Sequence, residues 1–545
     1  MKKILAIILT LCLAIGLAAP AFAADSISYY LRGGTAEYEP YLYEGLVGLQ
    51  VLQNMSDVDI DWTVVCGSGD EIQAQYLAML ASGNYPDVIQ WLHNEQYSGG
   101  VSQLYNDGII IELNDVIDQY MPKYKAFLES HPDIAASLMN DEGKYLYFTV
   151  INPLETADDK AAVTWWGLEM RQDWLDNLNL DVPTTIDEWY EVLTAFNTMD
   201  PNGNGNPDDE IPFDGGSAGL QLFLPAFDIM SGVYVNPETG KIGYGEYTQN
   251  YKEYLETMAK WYAEGLIDNV YNEDGSITDT ADDNIYADLA GSWKGLSNYW
   301  EQRLPQLLEK NPNADFVAVQ WPKDANGNIY GGYYTYSYID RTTTVITVDC
   351  KNVEAVARLM DNMLSEEGCT LLTWGTEEGD DLGGLMPEFA VDENGVLHGE
   401  YYVAEDGSKQ LTDWALETVK FYDGEFRRQY LYSMSHISFP RIGGMDFTLA
   451  TREGHYVDSS RMWAESDPSL AYPAAIVLST DAQKAAASAV DDINSYISEM
   501  TWKFITGQEP LTSFDTYMDT LQKMGIEDLI AAYQEAYDNF LARGK

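Results

Sequence analysis

One loop, Asp200-Pro-Asn-Gly-Asn-Gly-Asn-Pro-Asp-Asp-Glu210, constrains the chain more than any other segment. Oxygen-bearing side chains recur two or four residues apart, at Asp200, Asn202, Asn204 and Asp208. Alternate side chains of such a loop point inward, and the intervening glycines permit the tight turn that wraps one Ca²⁺. The same residues also suit a solvated turn. The spaced oxygens favour calcium, although Ile211 occupies the twelfth position, where an EF-hand has Glu.

The length and the N-terminal segment of the chain indicate a secreted, multidomain protein. A chain of 545 residues is too long for one hydrophobic core, so we expect at least two domains. Lys2 and Lys3, the apolar stretch 4–19 and Ala21-Phe22-Ala23 are typical of a signal peptide, which would comprise residues 1–23. No later stretch has about 18 uninterrupted apolar residues, so no transmembrane segment is predicted in the mature chain.

Charge and cysteine content exclude several classes of partner. The chain carries 87 acidic and 30 basic residues, with a net charge of −57 at pH 7. Such a surface repels nucleic acid, and it disfavours polyanionic ligands unless the cleft is locally basic. Cys66, Cys350 and Cys369 follow the predicted signal peptide, so at most one disulfide can form within the mature chain. Buried free thiols are the favoured interpretation.

Strands alternate with helices along the first part of the chain, which predicts α/β layers. Strands are predicted at 27–31, 60–64, 87–91 and 342–348, and a helix at 70–82 that ends before Gly83. Thr185 followed by Glu188 predicts a capping box at the start of a helix that leads into the Asp200 loop. The C-terminal region is predicted to be entirely helical.

One motif suggests an enzyme. Gly215-Gly-Ser-Ala-Gly219 matches the G-x-S-x-G nucleophile elbow, which would make Ser217 a nucleophile. The elbow needs a core strand before it, and Glu210-Ile-Pro-Phe213 is a poor candidate. A secreted serine or glycoside hydrolase is therefore kept as the alternative function, and no catalytic residue is assigned. The five histidines show no metal-binding spacing.

Aromatic residues are abundant, with 14 Trp, 39 Tyr and 16 Phe. Sugar rings present apolar C–H faces that stack on aromatic planes, while acids and amides accept or donate to the hydroxyls. Several tryptophans occur at strand ends or in loops, namely Trp91, Trp165, Trp166, Trp293, Trp300, Trp374 and Trp463. Core packing is the alternative for any one of them. For the set, contact with an oligosaccharide is predicted.

Four blocks in order resemble the family 1 extracellular solute-binding proteins of carbohydrate ABC transporters, in particular their long LplA-like and alginate-binding group. The first block is Ala78-Met-Leu-Ala-Ser-Gly83 with Pro86-Asp-Val-Ile89. The second comprises Trp174-Leu-Asp176, Val182-Pro-Thr-Thr-Ile-Asp-Glu-Trp189, Asp200-Pro-Asn-Gly-Asn-Gly205 and Asp209-Glu-Ile-Pro212. The third is Ser365-Glu-Glu-Gly368 with Trp374-Gly375, and the fourth is Lys503-Phe-Ile-Thr-Gly507 with the residues that follow.

The resemblance implies a two-lobed periplasmic-binding-protein type II fold, with a hinge and a ligand cleft between the lobes. The first lobe would comprise 24–160 and 342–379, and the second 161–341 and 380–545. The implied function is non-enzymatic: capture of an oligosaccharide and its delivery to ABC permease subunits, by a chain expected to be a monomer. The family usually has a lipobox, whereas Cys12 lies inside the apolar stretch after Leu11, so the chain is expected in the periplasm or at the outer cell surface.

The resemblance also implies two sets of site residues. A structural Ca²⁺ would be held by Asp200, Asn202, Asn204, Asn206, Asp208 and either Asp209 or Glu210, because the Asp-Glu-Ile-Pro sequence comes one residue late in this chain. The segment Asp87–Glu95 is similar to one in maltose-binding proteins, which selects Trp91, Asn94 and Glu95 as sugar contacts. Trp293 is similar to their stacking Trp. The predicted substrate-binding set is Trp91, Asn94, Glu95, Trp166, Trp293, Trp374 and Trp463.

Overall fold

The structure is a computed structural model, and it describes the greater part of the chain. The described residues are 25–33, 46–91, 97–140, 142–154, 156–268, 281–297, 299–331, 339, 342–382, 385, 390–392, 394–415, 439–443, 454–473, 476, 478 and 481–543. The predicted signal peptide and the predicted sugar contacts Asn94 and Glu95 lie outside these ranges. So does the side chain of Ser217.

The first sheet has four strands in the order β10-β3-β1-β2. They are β1 (Asp25–Arg32), β2 (Val58–Val65), β3 (Val88–Trp91) and β10 (Thr343–Ile346). β2 and β3 pair with β1 in parallel, whereas β10 pairs with β3 antiparallel. These strands coincide with the four predicted apolar segments, so the α/β prediction is confirmed here.

Helices cover both faces of this sheet. They are α1 (Val47–Ser56), α2 (Gly69–Ser82), α3 (Gly100–Asn106), α4 (Asn114–Tyr120), α5 (Pro122–Ser130), α6 (Pro132–Leu138), α14 (Val353–Met363) and α15 (Glu366–Thr373). α2 begins at a capping box, in which Glu71 Oε2 accepts from the Ser68 amide at 3.0 Å. It ends at Gly83, whose left-handed φ of 66° favours glycine.

The second sheet has three strands in the order β8-β5-β9, and both pairings are antiparallel. The strands are β5 (Trp166–Arg171), β8 (Ser292–Leu296) and β9 (Phe316–Val319). The helices of this half are α7 (Ala157–Ala162), α8 (Gln172–Leu178), α9 (Ile186–Thr198), α10 (Gly216–Leu220), α11 (Gln249–Ala263), α12 (Ala281–Tyr286), α13 (Tyr299–Lys310), α16 (His455–Ala464), α17 (Asp481–Ala487), α18 (Val490–Ile505), α19 (Phe514–Met524) and α20 (Ile526–Arg543). Short 3₁₀ helices span Gln221–Phe227 and Leu511–Ser513.

Short two-stranded pairs complete the described elements. They are β6 (Val233–Val235) with β7 (Ile242–Tyr244), β11 (Tyr401–Val403) with β12 (Lys409–Leu411), and β4 (Val150–Ile151) with β13 (Arg441–Ile442). Among the described residues, no helix combines the length and the apolar character that a membrane span requires.

The apolar side chains divide between two main cores. The larger cluster of the first core runs from Ile27 to Ile151 and from Ile339 to Phe439. The larger cluster of the second core runs from Leu168 to Tyr330 and from Leu470 to Leu529. The chain therefore passes between the cores three times: after Ile151, before Ile339 and after Phe439.

The three crossing segments lie side by side. β13 pairs in parallel with β4, and Ile339 forms an antiparallel bridge to Ile151. The Gly443 amide also donates to the Ile151 carbonyl at 2.7 Å. Backbone hydrogen bonds thus join the three segments where each one leaves the first core.

The third crossing lies later in the chain than the sequence-based division of lobes assumed. Ala390, Tyr401, Ala415 and Phe439 pack in the first core, whereas the division at 379–380 groups them with the second lobe. Their partners in this core come from distant parts of the chain, which local sequence patterns cannot reveal. The division into lobes that move separately stays a prediction.

Candidate functional site

The Asp200 loop is held in shape by its own polar side chains. Asn202 Oδ1 accepts from the Asn204 amide at 2.9 Å, and Asn204 Oδ1 accepts from the Asn206 amide at 2.7 Å. Asp200 Oδ2 accepts from the Gly205 amide at 3.1 Å. These bonds hold the loop in a tight turn in which side-chain oxygens of Asp200, Asn202 and Asn204 accept from backbone amides of the loop. Asp208 is exposed at the outer side.

Three carboxylate oxygens of this loop are buried without a hydrogen-bond donor. They are Asp200 Oδ1 and both Oε atoms of Glu210, a residue that is only 8% exposed. Burial, together with repulsion from Asp209 and Asp200, raises the pKa of Glu210. Buried carboxylate oxygens without donors are costly, and a bound cation is a common way to satisfy them. The arrangement therefore fits a hard cation such as Ca²⁺.

Asp209 and Glu210 differ in their surroundings. The Asp209 carboxylate accepts from Asn204 Nδ2, with both oxygens at 3.2 Å. Glu210 has both oxygens free of such donors. Within the described part of the chain, no three His, Cys, Asp or Glu side chains come together in a group that could by itself bind a metal ion. A cation here would accordingly draw part of its ligands from amide and carbonyl oxygens.

Buried ion pairs tie the loop to the second sheet. Asn202 Nδ2 donates to the Asp288 carbonyl at 3.0 Å. The Asp288 carboxylate lies 2.6 Å from Arg171 Nη1, and Arg171 also binds Asp173 at 2.7 Å. Arg171 is fully buried in β5. Separately, Asn177 Nδ2 donates a hydrogen bond to the Pro201 carbonyl of the loop at 2.9 Å. The loop is thus attached to the sheet through the hydrogen bond to Asp288 and the Asp288–Arg171 ion pair, and to α8 through the hydrogen bond from Asn177.

Trp91, the first of the predicted sugar contacts, is a core residue in this structure. It is fully buried and stacks on Tyr76, with ring centroids 4.5 Å apart and an interplanar angle of 12°. A ring enclosed in this way offers no face to a ligand. Its assignment as a substrate contact stays a prediction.

Trp293 and Trp463 are also fully buried, at the second sheet. Trp293 Nε1 donates to Glu169 Oε2 at 2.8 Å, and Trp463 Nε1 donates to the Val319 carbonyl at 3.0 Å. Neighbouring glycines make room for these groups. A Cβ at Gly167 would lie 2.1 Å from the Trp463 ring. Both tryptophans pack within the lobe, so a ligand role for them also stays a prediction.

Trp166 and Trp374 have partly polar surroundings. The ammonium of Lys294 lies 4.3 Å from the centroid of the half-buried Trp166 ring. Trp374 is 2% exposed and lines an open pocket of about 550 Å³ at the surface of the first lobe. Lys409 also lines this pocket, with its ammonium 5.7 Å from the Trp374 ring. The structure therefore places Trp166 and Trp293 on the second sheet and Trp463 on α16, which packs against that sheet, whereas Trp91 and Trp374 belong to the first core.

Two features at the second sheet were not assigned a role from the sequence. Trp165 is the exposed tryptophan beside Trp166, and it was noted only as one aromatic among several. The buried pair of Glu169 and His455, with Oε1 and Nε2 3.6 Å apart, gave no local signal. In the sequence Leu-Glu-Met-Arg, the charged residues look like the solvent side of a strand. The prediction of free thiols agrees with the described cysteines, which are Cys66, Cys350 and Cys369.

Two α/β cores joined by three adjacent crossings define the class: the chain has the fold of the two-domain extracellular solute-binding proteins. No protein-family model matches the chain. It is 26% identical over 532 residues to the fructooligosaccharide ABC transporter substrate-binding protein FusA of Streptococcus pneumoniae, covering 91% of this chain and 87% of that one. It is 22% identical to the polygalacturonan/rhamnogalacturonan-binding protein YtcQ of Bacillus subtilis, covering 88% and 86%.

Solved structures agree on the fold. FusA in complex with kestose superposes with a TM-score of 0.68 at 22% identity, covering 95% of this chain and all of FusA. An extracellular solute-binding protein of Bifidobacterium longum subsp. infantis gives 0.70 at 20% identity, covering 95% and 99%. The alginate-binding protein AlgQ2 without calcium ion gives 0.66 at 20% identity, with the same coverage.

The resemblance seen in the sequence is thereby confirmed. The chain is a homologue of ABC transporter substrate-binding proteins, and it has the predicted two-lobed solute-binding fold. These homologues are binding proteins and not hydrolases. The alternative based on Ser217 loses its support accordingly.

Proposed function

We propose that this protein captures an oligosaccharide outside the cell and delivers it to the permease of an ABC transporter. The observation that carries the proposal is the identity of 26% with FusA across 91% of the chain, joined to a fold with two cores and three adjacent crossings. No chemical step is involved. The work of the protein is recognition, followed by closure of one lobe on the other.

The crossings suggest where the hinge lies. β4, Ile339 and β13 are short segments joined by a few backbone bonds, and each is continued by chain that belongs to a different core. Small changes of φ and ψ in such segments can rotate two packed bodies without disturbing either core. On this basis the first lobe comprises 25–151 and 339–439, and the second comprises 161–331 and 454–543.

The function is tested by calorimetric titration of the purified mature chain with a panel of neutral oligosaccharides that includes kestose. X-ray scattering with and without the tightest binder measures closure. Saturable binding with a decrease in the radius of gyration is the expected result. The absence of binding to every glycan would contradict the proposal, and the release of reducing ends would revive the hydrolase.

A second part of the proposal concerns calcium. Glu210 is the acidic ligand that completes the site with Asp200, because its two oxygens are buried without donors while Asp209 is occupied by Asn204. Oxygens of Asn202, Asn204 and the Asn206 carbonyl supply neutral ligands, and Asp208 lies at the outer side. A bound Ca²⁺ would supply positive charge among these oxygens and stabilise the loop. Calcium titration of chelator-treated protein tests this assignment.

The same relatives support a proposal for the cellular location. The homologues are extracellular substrate-binding proteins, and a segment of 117 residues is 37% identical to the lipoprotein LipO of Bacillus subtilis. We propose secretion directed by residues 1–23, to the periplasm or the outer cell surface. Fractionation of cells that express the full chain, followed by N-terminal sequencing of the mature product, tests both points.

A further inference from the structure

Among the tryptophans, one differs from all the others in its exposure. All fourteen lie within the described residues, and Trp165 is the only one that is exposed, with 38% of its surface accessible to solvent. Eight of the others are among the largest fully buried side chains of the protein. Tryptophan is highly buried on average, so Trp165 is the described indole whose face is most accessible to a ligand.

Trp165 lies where the chain enters the second lobe. It follows α7, the first helix after the crossing at Ile151, and it directly precedes β5. α7 packs against α16, the first described helix after the third crossing, through a small apolar cluster that includes Ala162 and Tyr456. The indole therefore lies next to the helix that receives the first crossing, at the start of the second lobe.

Hydrogen bonds fix the indole in one orientation. Its Nε1 donates to the Ala162 carbonyl at 2.6 Å, and its own carbonyl accepts from the Ser297 amide at 2.9 Å. The adjacent Thr164 hydroxyl donates to the Lys160 carbonyl at 2.8 Å. An aromatic ring whose polar edge is already bonded loses little side-chain freedom when a ligand covers its face.

The neighbouring Trp166 is less accessible than Trp165, and its assignment as a substrate contact stays a prediction. Successive side chains of a strand point to opposite faces, so the two indoles do not form one surface. The Trp166 ring is half-buried and lies under the Lys294 ammonium at 4.3 Å. The accessible aromatic surface at this edge of the second sheet thus belongs to Trp165.

We propose that Trp165 is a stacking platform for one neutral sugar ring of the oligosaccharide, and that it contacts the sugar as the lobes close. The proposal rests on the proposed function and deepens it by naming a recognition residue and a ligand class. The apolar C–H face of a sugar ring matches the indole face in polarity. A net charge of −57 disfavours an anionic sugar at a position where no cation covers the indole face in the described contacts.

The test compares three variants with the wild type in calorimetric titrations with the tightest-binding neutral oligosaccharide of the panel. Trp165→Ala removes the platform and is expected to raise Kd by about tenfold or more, whereas Trp165→Phe keeps an aromatic face and is expected to lose less than about threefold. Tyr120→Ala is the matched control, because Tyr120 has the same exposure of 38% and lies on α4 of the first lobe. It should leave Kd unchanged, and equal melting temperatures would show that all variants fold.

Acrylamide quenching of tryptophan fluorescence provides a second readout. The fraction of the tryptophan fluorescence that acrylamide quenches should be smaller in sugar-free Trp165→Phe than in the sugar-free wild type. In the wild type, saturating sugar should protect Trp165 from the quencher. Unchanged Kd in Trp165→Ala, or no protection by sugar, would overturn the platform while leaving the transport function intact. Loss of cellular uptake with normal sugar binding would also overturn it, since Trp165 would then contact the permease. A wild type that binds no glycan would overturn both proposals.

Discussion

The carboxylate of Glu169 accepts a hydrogen bond from the indole Nε1 of Trp293 at 2.8 Å, across the neighbouring strands β5 and β8. Both side chains are fully buried. The second oxygen of Glu169 lies 3.6 Å from His455 Nε2, at the start of α16. This carboxylate therefore links two strands of the second sheet to the helix that follows the third crossing.

The contribution of Glu169 to the stability of the protein should fall as the pH rises. Burial raises the pKa of Glu169, against the opposing effects of His455 and Arg303. An acid whose pKa is raised by folding binds more protons in the folded state, so its contribution to stability is lost as pH rises through the folded pKa. Relative to the wild type, Glu169→Gln should therefore become more stable as the pH is raised, for example from pH 5 to pH 8. Chemical denaturation at both pH values measures the difference.

Glu169→Ala is the companion variant. It removes the acceptor and leaves the Trp293 N–H unpaired in the core, which should make it about 1–3 kcal/mol less stable than Glu169→Gln at both pH values. Equal stability of the Gln and Ala variants would mean that the hydrogen bond to Trp293 contributes nothing.

The adjacent carboxyl groups of Asp228 and Asp324 should also make the protein less stable as the pH rises, because the pKa of Asp228 is raised. Burial and the hydrogen bond with Asp324 raise the pKa of Asp228 to about 6, since two adjacent carboxyl groups share one proton. The contribution of Asp228 is complete below the pKa of an unfolded Asp, about 3.9, and is lost as pH rises through 6, whereas the lowered pKa of Asp324 acts in the opposite direction. At pH 8, Asp228→Asn should be about 1–2 kcal/mol more stable than the wild type, a figure reduced for partial exposure.

Asp392→Asn is the control for that experiment. Backbone donors, Val396 first, lower the pKa of Asp392. Its contribution is present above the unfolded pKa, so the Asn variant should lose stability at pH 8. If Asp228→Asn and Asp392→Asn shifted in the same direction, the shared proton would be refuted.

Local signals made much of the fold predictable. Thr185 with Glu188 forms the capping box that its spacing predicts, and α9 begins there. A cap depends on residues three apart, so the sequence contains all of the required information. The Asp200 loop is similar, because its turn is built by bonds between residues within it.

The roles of the tryptophans could not be predicted in this way. Whether an indole is exposed depends on distant partners, as with Gly167, which leaves space for the Trp463 ring, and the backbone carbonyl of Val319, which receives its N–H. Trp165 and Trp166 are adjacent in sequence and of the same residue type, yet only Trp165 is exposed. The third crossing was misplaced for the same reason, because contacts of Phe439 with the first core are long-range.

Glu210→Gln should shift stability in opposite directions with and without calcium. In chelator, neutralising a buried carboxylate near Asp200 and Asp209 should raise the melting temperature above that of the wild type. With calcium, losing a charged ligand should weaken ion affinity by at least about tenfold and lower the melting temperature below that of the wild type. Differential scanning fluorimetry in both buffers measures the crossover.

Asp209→Asn is the matched variant, since its carboxylate already accepts from Asn204. A larger loss of calcium affinity in Asp209→Asn than in Glu210→Gln would reverse the assignment of the last ligand. Chelation should also leave oligosaccharide affinity unchanged at a temperature where the protein stays folded. A parallel loss of sugar affinity would instead put the ion in the ligand site.

The hinge can be tested at Gly443, which follows β13. Gly443 has a φ of 82°, and a Cβ there would meet no atom within 4 Å. Gly443→Ala should therefore cost about 1 kcal/mol through backbone strain alone. Gly407, in the turn between β11 and β12, has a φ of 86° and equally open surroundings. If the crossings form the hinge, both variants should lose similar stability, but only Gly443→Ala should change the balance between open and closed lobes and hence the apparent Kd. Calorimetry measures the sugar affinity of both variants, and scattering measures the balance between open and closed lobes. A strained φ in a hinge segment must favour one lobe arrangement over the other. Equal sugar affinity in the two variants would therefore place the hinge elsewhere.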